Sequence, residues 1–212
     1  MKPLLPWIVL AVLGAYHGLN PAMGWLFAVS RGLQERSTRA VLASLPPIAL
    51  GHAVSIAATV LLLALGDAAF SGATVRVGLS IVVIGFGLLK LLRPRHPRWV
   101  GMRLGFRDLT LWSFTMATAH GAGLMLIPVF LAGEAGVPCA ACSVHAGLLL
   151  RSWPGYVSAV IVHTTAMFVV ASAVALVVFR RLGLGLLRRA WFNLDVAWAL
   201  ALMASGAAAL AT

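Results

Sequence analysis

Six apolar runs, most of them twenty residues or longer, limit what this chain can become more than anything else in it. A run of about twenty residues crosses the ~30 Å hydrocarbon core of a bilayer as one helix. Lipid offers the backbone no hydrogen-bond partners, so a spanning segment must satisfy its own N–H and C=O groups. The runs are therefore expected to be α-helices. The remaining composition agrees: 61% of residues are hydrophobic and only 10% are charged, against about 25% charged in soluble domains. The expected fold class is all-α, a polytopic membrane protein whose single membrane domain covers residues 1–212.

The expected spans are Leu4–Val29, Val41–Leu65, Val75–Leu92, Leu109–Leu131, Tyr156–Phe179 and Ala190–Ala211. Asn20-Pro21 breaks the first, because proline removes a ladder hydrogen bond and frees a carbonyl one turn back. The fourth reads as continuous, with His120 near its centre. Ser30–Ala40 reads as a polar link and Ala132–Gly155 as a looser one. Pro94 and Pro97 rule out a regular helix through the start of the long basic link. The N-terminal run is too long for a signal peptide, and no small-x-small cleavage site follows it.

A net charge of +11 suggests nucleic acid at first sight. The distribution argues otherwise: the links after spans one, three and five hold 13 of the 16 Lys and Arg. Lys2, Arg76 and Arg151 are the rest. The positive-inside rule then puts those links in the cytoplasm and both termini outside. The expected location is a bacterial cytoplasmic (inner) membrane, with the lipid bilayer as partner and no nucleic acid.

Two halves of the chain carry similar marks. Repeat one, about 4–92, has His17-Gly18 in its first span and Gly51-His52 in its second. Repeat two, about 109–211, has His120-Gly121 and then Val162-His163. Three spans per repeat is an odd number, so the second copy is expected to be inverted, an arrangement common in transporters. Counting 1.5 Å per residue puts His17, His52 and His120 roughly 17–18 Å deep, near mid-membrane. His163 counts as shallower, about seven residues from the outer end.

An imidazole in hydrocarbon is costly without a partner, and four at related positions point to a shared site. Imidazole suits nickel, cobalt, zinc and copper. His17, His52, His120 and His163 are the candidate metal ligands, with Asn20 as a further binding residue. Met23, Met116, Met125 and Met167 are candidate softer ligands, although methionine also fills gaps in apolar packing. On the outer side Cys139, Cys142 and His145 form either a metal-capture motif or, for the cysteines, a simple disulfide. Asp195 pairs most simply with Arg188 or Arg189. Gly14, Gly18, Gly51, Gly121 and Gly123 suit close helix contact.

Six spans, His17-x-x-x-Pro21, Gly51-His52 and the repeated His120 resemble the lysine-exporter superfamily, in particular its nickel/cobalt-type and urease-accessory-type permeases. The resemblance implies transport of a small cation with His17, and also His52, among its ligands. Asn20 stands where the nickel/cobalt branch has an acid, and the cytoplasmic loop keeps only His96 of that branch's His-rich segment. Membrane thiol-disulfide carriers share the inverted plan, but they need cysteines where this chain has His17 and His120.

The expected function is a permease for a transition-metal cation, and not an enzyme. Two other readings stay open: an intramembrane haem- or metal-binding redox protein, and an exporter of an amino acid or another small organic solute. Assembly as a homo-oligomer or as a subunit of a membrane complex is compatible with each.

Overall fold

The computed structural model describes residues 4–69, 72–92, 105–131, 152–182 and, within 199–207, all but 201 and 205. Among these residues every regular element is helical. Helix α1 covers Leu5–Leu19, α2 Trp25–Glu35, α3 Thr38–Ala69 and α4 Gly72–Leu92. Helix α5 covers Phe106–His120, α6 Ile127–Leu131 and α7 Trp153–Val177, which runs into a π-helical turn at Val178–Leu182. Two stretches, Thr38–Gly66 and Trp153–Arg181, are long and apolar enough to cross a membrane. A third candidate is the bent pair Phe106–His120 and Leu124–Phe130, with a 48° change of direction. The chain is a helical membrane protein.

The expected polar link at Ser30–Ala40 is almost entirely helical. Helix α2 runs on to Glu35, and α3 starts at Thr38. Arg31 and Glu35 are four residues apart and joined at 2.8 Å, a spacing that supports a helix rather than interrupting it. The turn is made by Arg36, whose φ of 48° is left-handed.

The fourth span is not continuous. Helix α5 stops at His120 because Gly121 turns left-handed, at φ 70°, a conformation glycine adopts without steric cost. A 3-10 turn at Leu124–Leu126 then leads into α6. The first span breaks as expected. Asn20 leaves the helix, its side chain accepts from the Ala22 N–H at 3.0 Å, and Pro21–Met23 form a 3-10 turn. Gly24, at φ 112°, starts α2.

Packing falls into two parallel pairs. Gly14 and Gly18 bring α1 against α7: a methyl group on Gly14 would run into the His163 carbonyl, and one on Gly18 into the Met167 carbonyl. Gly51 does the same for α3 and α5, lying on the Thr110 carbonyl and the Phe114 amide. Small residues allow this approach, and in lipid close van der Waals contact is what holds helices together. Interhelical hydrogen bonds flank Gly51: Ser113 donates to the Ile48 carbonyl at 2.6 Å, and Ser55 and Thr118 share one at 2.9 Å. Helix α4 meets the helical residues near the C-terminus, with Gly87 facing Ala199 and Met203, and Gly206 facing Ser80 and Ile84.

Two apolar clusters fill the ends of this bundle. One gathers Trp25, Val41, Leu45, Ile48, Leu109, Met167, Ala171 and Val178. The other gathers Leu10, Ile56, Val60, Leu63, Leu126, Phe130, Tyr156 and Ala159. Helices α1 and α7 therefore run from the second cluster towards the first, and α3 and α5 run the opposite way.

Candidate functional site

Each of the four histidines sits at the junction of the two clusters. On α3, Ile48 lies in one cluster, Ile56 in the other, and His52 between them. On α7, His163 stands between Ala159 and Met167 in the same way. His17 falls between Leu10 and Trp25, and His120 between Leu109 and Leu126. All four are buried, with at most 2% of their surface exposed. Apolar packing above and below thus seals a thin polar layer.

Three of them meet. The rings of His17 and His52 are 5.1 Å apart, those of His17 and His163 4.9 Å, and those of His52 and His163 5.6 Å. His52 and His163 stack nearly parallel, and His17 stands edge-on to both. One nitrogen from each lies within 4.8 Å of the other two. His120 is not in this trio. The sequence count that made His163 the shallow member is corrected here. Ser152 caps α7 by accepting from the Gly155 N–H, and Pro154 lies in the first turn, so the helix begins at Trp153 rather than Tyr156.

The backbone sets which nitrogen each ring presents. His17 Nδ1 lies 2.8 Å from the Leu13 carbonyl, and His120 Nδ1 lies 2.8 Å from the Met116 carbonyl. Both bonds reach back four residues, from the last turns of the two interrupted helices. His163 Nδ1 reaches across to the Leu10 carbonyl of α1 at 3.1 Å. A carbonyl only accepts, so Nδ1 carries the proton in the neutral ring and Nε2 keeps its lone pair. Carbonyl partners of this kind orient metal-binding imidazoles. His52 differs, since neither of its nitrogens has a hydrogen-bond partner, and His163 Nε2 has none either. Buried nitrogens without partners are costly, and a cation bound among the three rings would engage one nitrogen of His52 and one of His163.

The other expected site residues lie elsewhere or are engaged. Asn20 is buried, and its side-chain oxygen caps the turn at Ala22. Met23, Met116, Met125 and Met167 are all buried. Met167 packs in the first apolar cluster and Met125 in a third with Val83, Ile127 and Leu202. Cys139, Cys142, His145 and Asp195 lie outside the described residues. Sequence reasoning missed the backbone part of the site, namely the carbonyls of Leu10, Leu13 and Met116. Only the position of His17 and His120 at broken helix ends hinted at it, and for His120 the signal was Gly121-Ala122-Gly123.

Compared with protein-family models, with curated proteins and with solved structures, the chain gives no match.

Proposed function

We propose that the chain is a permease for a transition-metal cation, with His17, His52 and His163 as the transport site and His120 beside it. The observation that carries this reading is the buried trio, whose nitrogens face one another within 4.8 Å. Ligand atoms around a tetrahedral ion with ~2.0–2.1 Å bonds stand roughly 3.3 Å apart, so modest ring movement closes the site. Imidazole nitrogens suit zinc, copper, nickel and cobalt.

The six-span plan in two inverted repeats, N-out and C-out, accounts for several otherwise separate features. Helices α1 and α5 run in opposite directions, and each ends one turn or less beyond a histidine tied to the carbonyl four residues back. The pair α1–α7 has its counterpart in α5–α3, and both pairs cross on glycine. In such a plan the two halves rock about a central site, and interrupted helices line it. The apolar clusters on either side serve as the two gates, one of which opens at a time. A bacterial inner membrane fits the placement of the basic residues.

Three imidazoles converging on one point suit an ion better than a haem, whose plane separates its two axial ligands. Uptake by proteoliposomes tests the proposal. Transport is expected in the wild type and at least a tenfold loss with His17→Ala plus His52→Ala; undiminished uptake in that double variant would overturn the reading.

A further inference from the structure

The three rings of the trio are held in different ways. His17 donates from Nδ1 to the Leu13 carbonyl at 2.8 Å, and His163 donates from Nδ1 to the Leu10 carbonyl at 3.1 Å. Both carbonyls belong to α1 and lie less than one turn apart. One helix therefore orients two of the rings and leaves Nε2 of each as the ligand atom. His52 differs. Among the described residues neither its Nδ1 nor its Nε2 has a hydrogen-bond partner. Its ring is placed by packing, stacked on His163 at 5.6 Å, and either nitrogen can serve as the ligand atom.

The same division runs through the backbone. Gly14 and Gly18 set α1 directly on the main chain of α7, at His163, Met167 and Ala171. Gly51 sets α3 on the main chain of α5, at Thr110 and Phe114, and the Ser113–Ile48 and Ser55–Thr118 hydrogen bonds clamp that pair. Where backbone lies on backbone there is no rotamer to change, so each pair is expected to move as one body. Helix α2, which continues α1, meets α3 through side chains instead: Gly24 faces that of Ile48, and Gly32 that of Val41. Side chains of this kind can re-pack. His17 and His163 thus belong to the α1–α7 body, and His52 to the α3–α5 body.

We propose that His17 and His163 form a fixed half-site that holds the metal cation throughout transport, and that His52 is the mobile third ligand, closing on the ion and leaving it when the two pairs separate. The inference rests on the trio being a transport site, and it assigns the parts within that site. Two imidazoles whose tautomer and orientation are already set bind an ion without first having to be ordered. The third adds affinity only in the closed arrangement, so its departure weakens the site at the moment of release.

The test uses the full chain with zinc and nickel as probes. X-ray absorption at the metal edge counts the bound imidazoles, equilibrium dialysis in detergent gives the affinity, and proteoliposomes give the uptake rate. The wild type is expected to show three imidazoles. His52→Ala is expected to keep the ion with two, to bind it about tenfold more weakly, and to lose at least tenfold in uptake even at saturating metal. His17→Ala and His163→Ala are each expected to bind about a hundredfold more weakly. Glutamine at the same three positions nearly keeps the side-chain volume, and the same order of losses is expected there, which separates loss of a ligand from loss of the fold. Equal losses of affinity at all three positions, or wild-type uptake in the His52 variants, overturn this division of roles while leaving the transport site intact. If neither zinc nor nickel binds to the purified wild-type protein, the transport reading fails and this inference with it.

Discussion

His52 is buried with no hydrogen-bond partner on either ring nitrogen. An unsatisfied buried polar group costs about 1–3 kcal/mol. His52→Leu is therefore expected to leave thermal stability unchanged or raise it by about 1 kcal/mol, while metal binding falls at least tenfold. Melting in detergent alongside equilibrium metal binding checks both, and a large loss of stability would make His52 a packing residue. Asn20 gives the opposite case. Its side chain caps the Ala22 N–H, and Asn20→Ala is expected to cost about 1 kcal/mol. Asn20→Asp keeps the acceptor and adds a negative charge one turn from His17. With that variant, proteoliposome uptake of zinc or nickel is expected to rise, because the added carboxylate offers a divalent ion an anionic partner.

At the scale of the helices, close approach on glycine is the main constraint. Gly14→Leu would drive a side chain into the His163 backbone, and Gly51→Leu into the Thr110 carbonyl. Backbone cannot yield as a flexible side chain does, so each is expected to cost at least about 1–3 kcal/mol. Gly66 has nothing within 4 Å of where a Cβ would stand, and Gly66→Ala is expected to gain roughly 0.5–1 kcal/mol. Unfolding curves in detergent for these three variants separate contact from propensity. The helix breaks show how far sequence reasoning reached. Asn20-Pro21 announced the first, since proline cannot keep the ladder intact. Gly121-Ala122-Gly123 suggested only close packing, because glycine in a membrane helix is equally compatible with continuation. The polar run at Ser30–Ala40 read as a link, yet the Arg31–Glu35 pair within it supports a helix that continues to Glu35.

Across the whole molecule, five of the described arginines lie at one end. Arg36 and Arg39 flank the turn beside Ala40 and Val41, Arg107 precedes Leu109, and Arg180 and Arg181 follow Val178. Val41, Leu109 and Val178 all belong to the same apolar cluster. That end is expected to face the cytoplasm. With Cys139 and Cys142 replaced by serine, Ser37→Cys and Arg181→Cys are expected to react with an impermeant maleimide in inside-out vesicles and not in intact cells. Labelling of the two from opposite faces would break the six-span topology.

The hydrophobic runs and the charge distribution made a helical membrane protein legible from sequence, because both act through composition and need no knowledge of neighbours. The four histidines were legible as candidates for the same reason: polar groups stand out against hydrocarbon. Which of them meet was not legible. Depth counted along each helix says nothing about rotation or about where a helix truly begins. It ranked His120 with His17 and His52 and set His163 apart, whereas the folded chain joins His163 to His17 and His52. That choice was made by contacts between distant residues: Gly14 laid against the His163 backbone and Leu10 held to the His163 ring. Such contacts depend on which helix faces pack together, and only tertiary structure decides that.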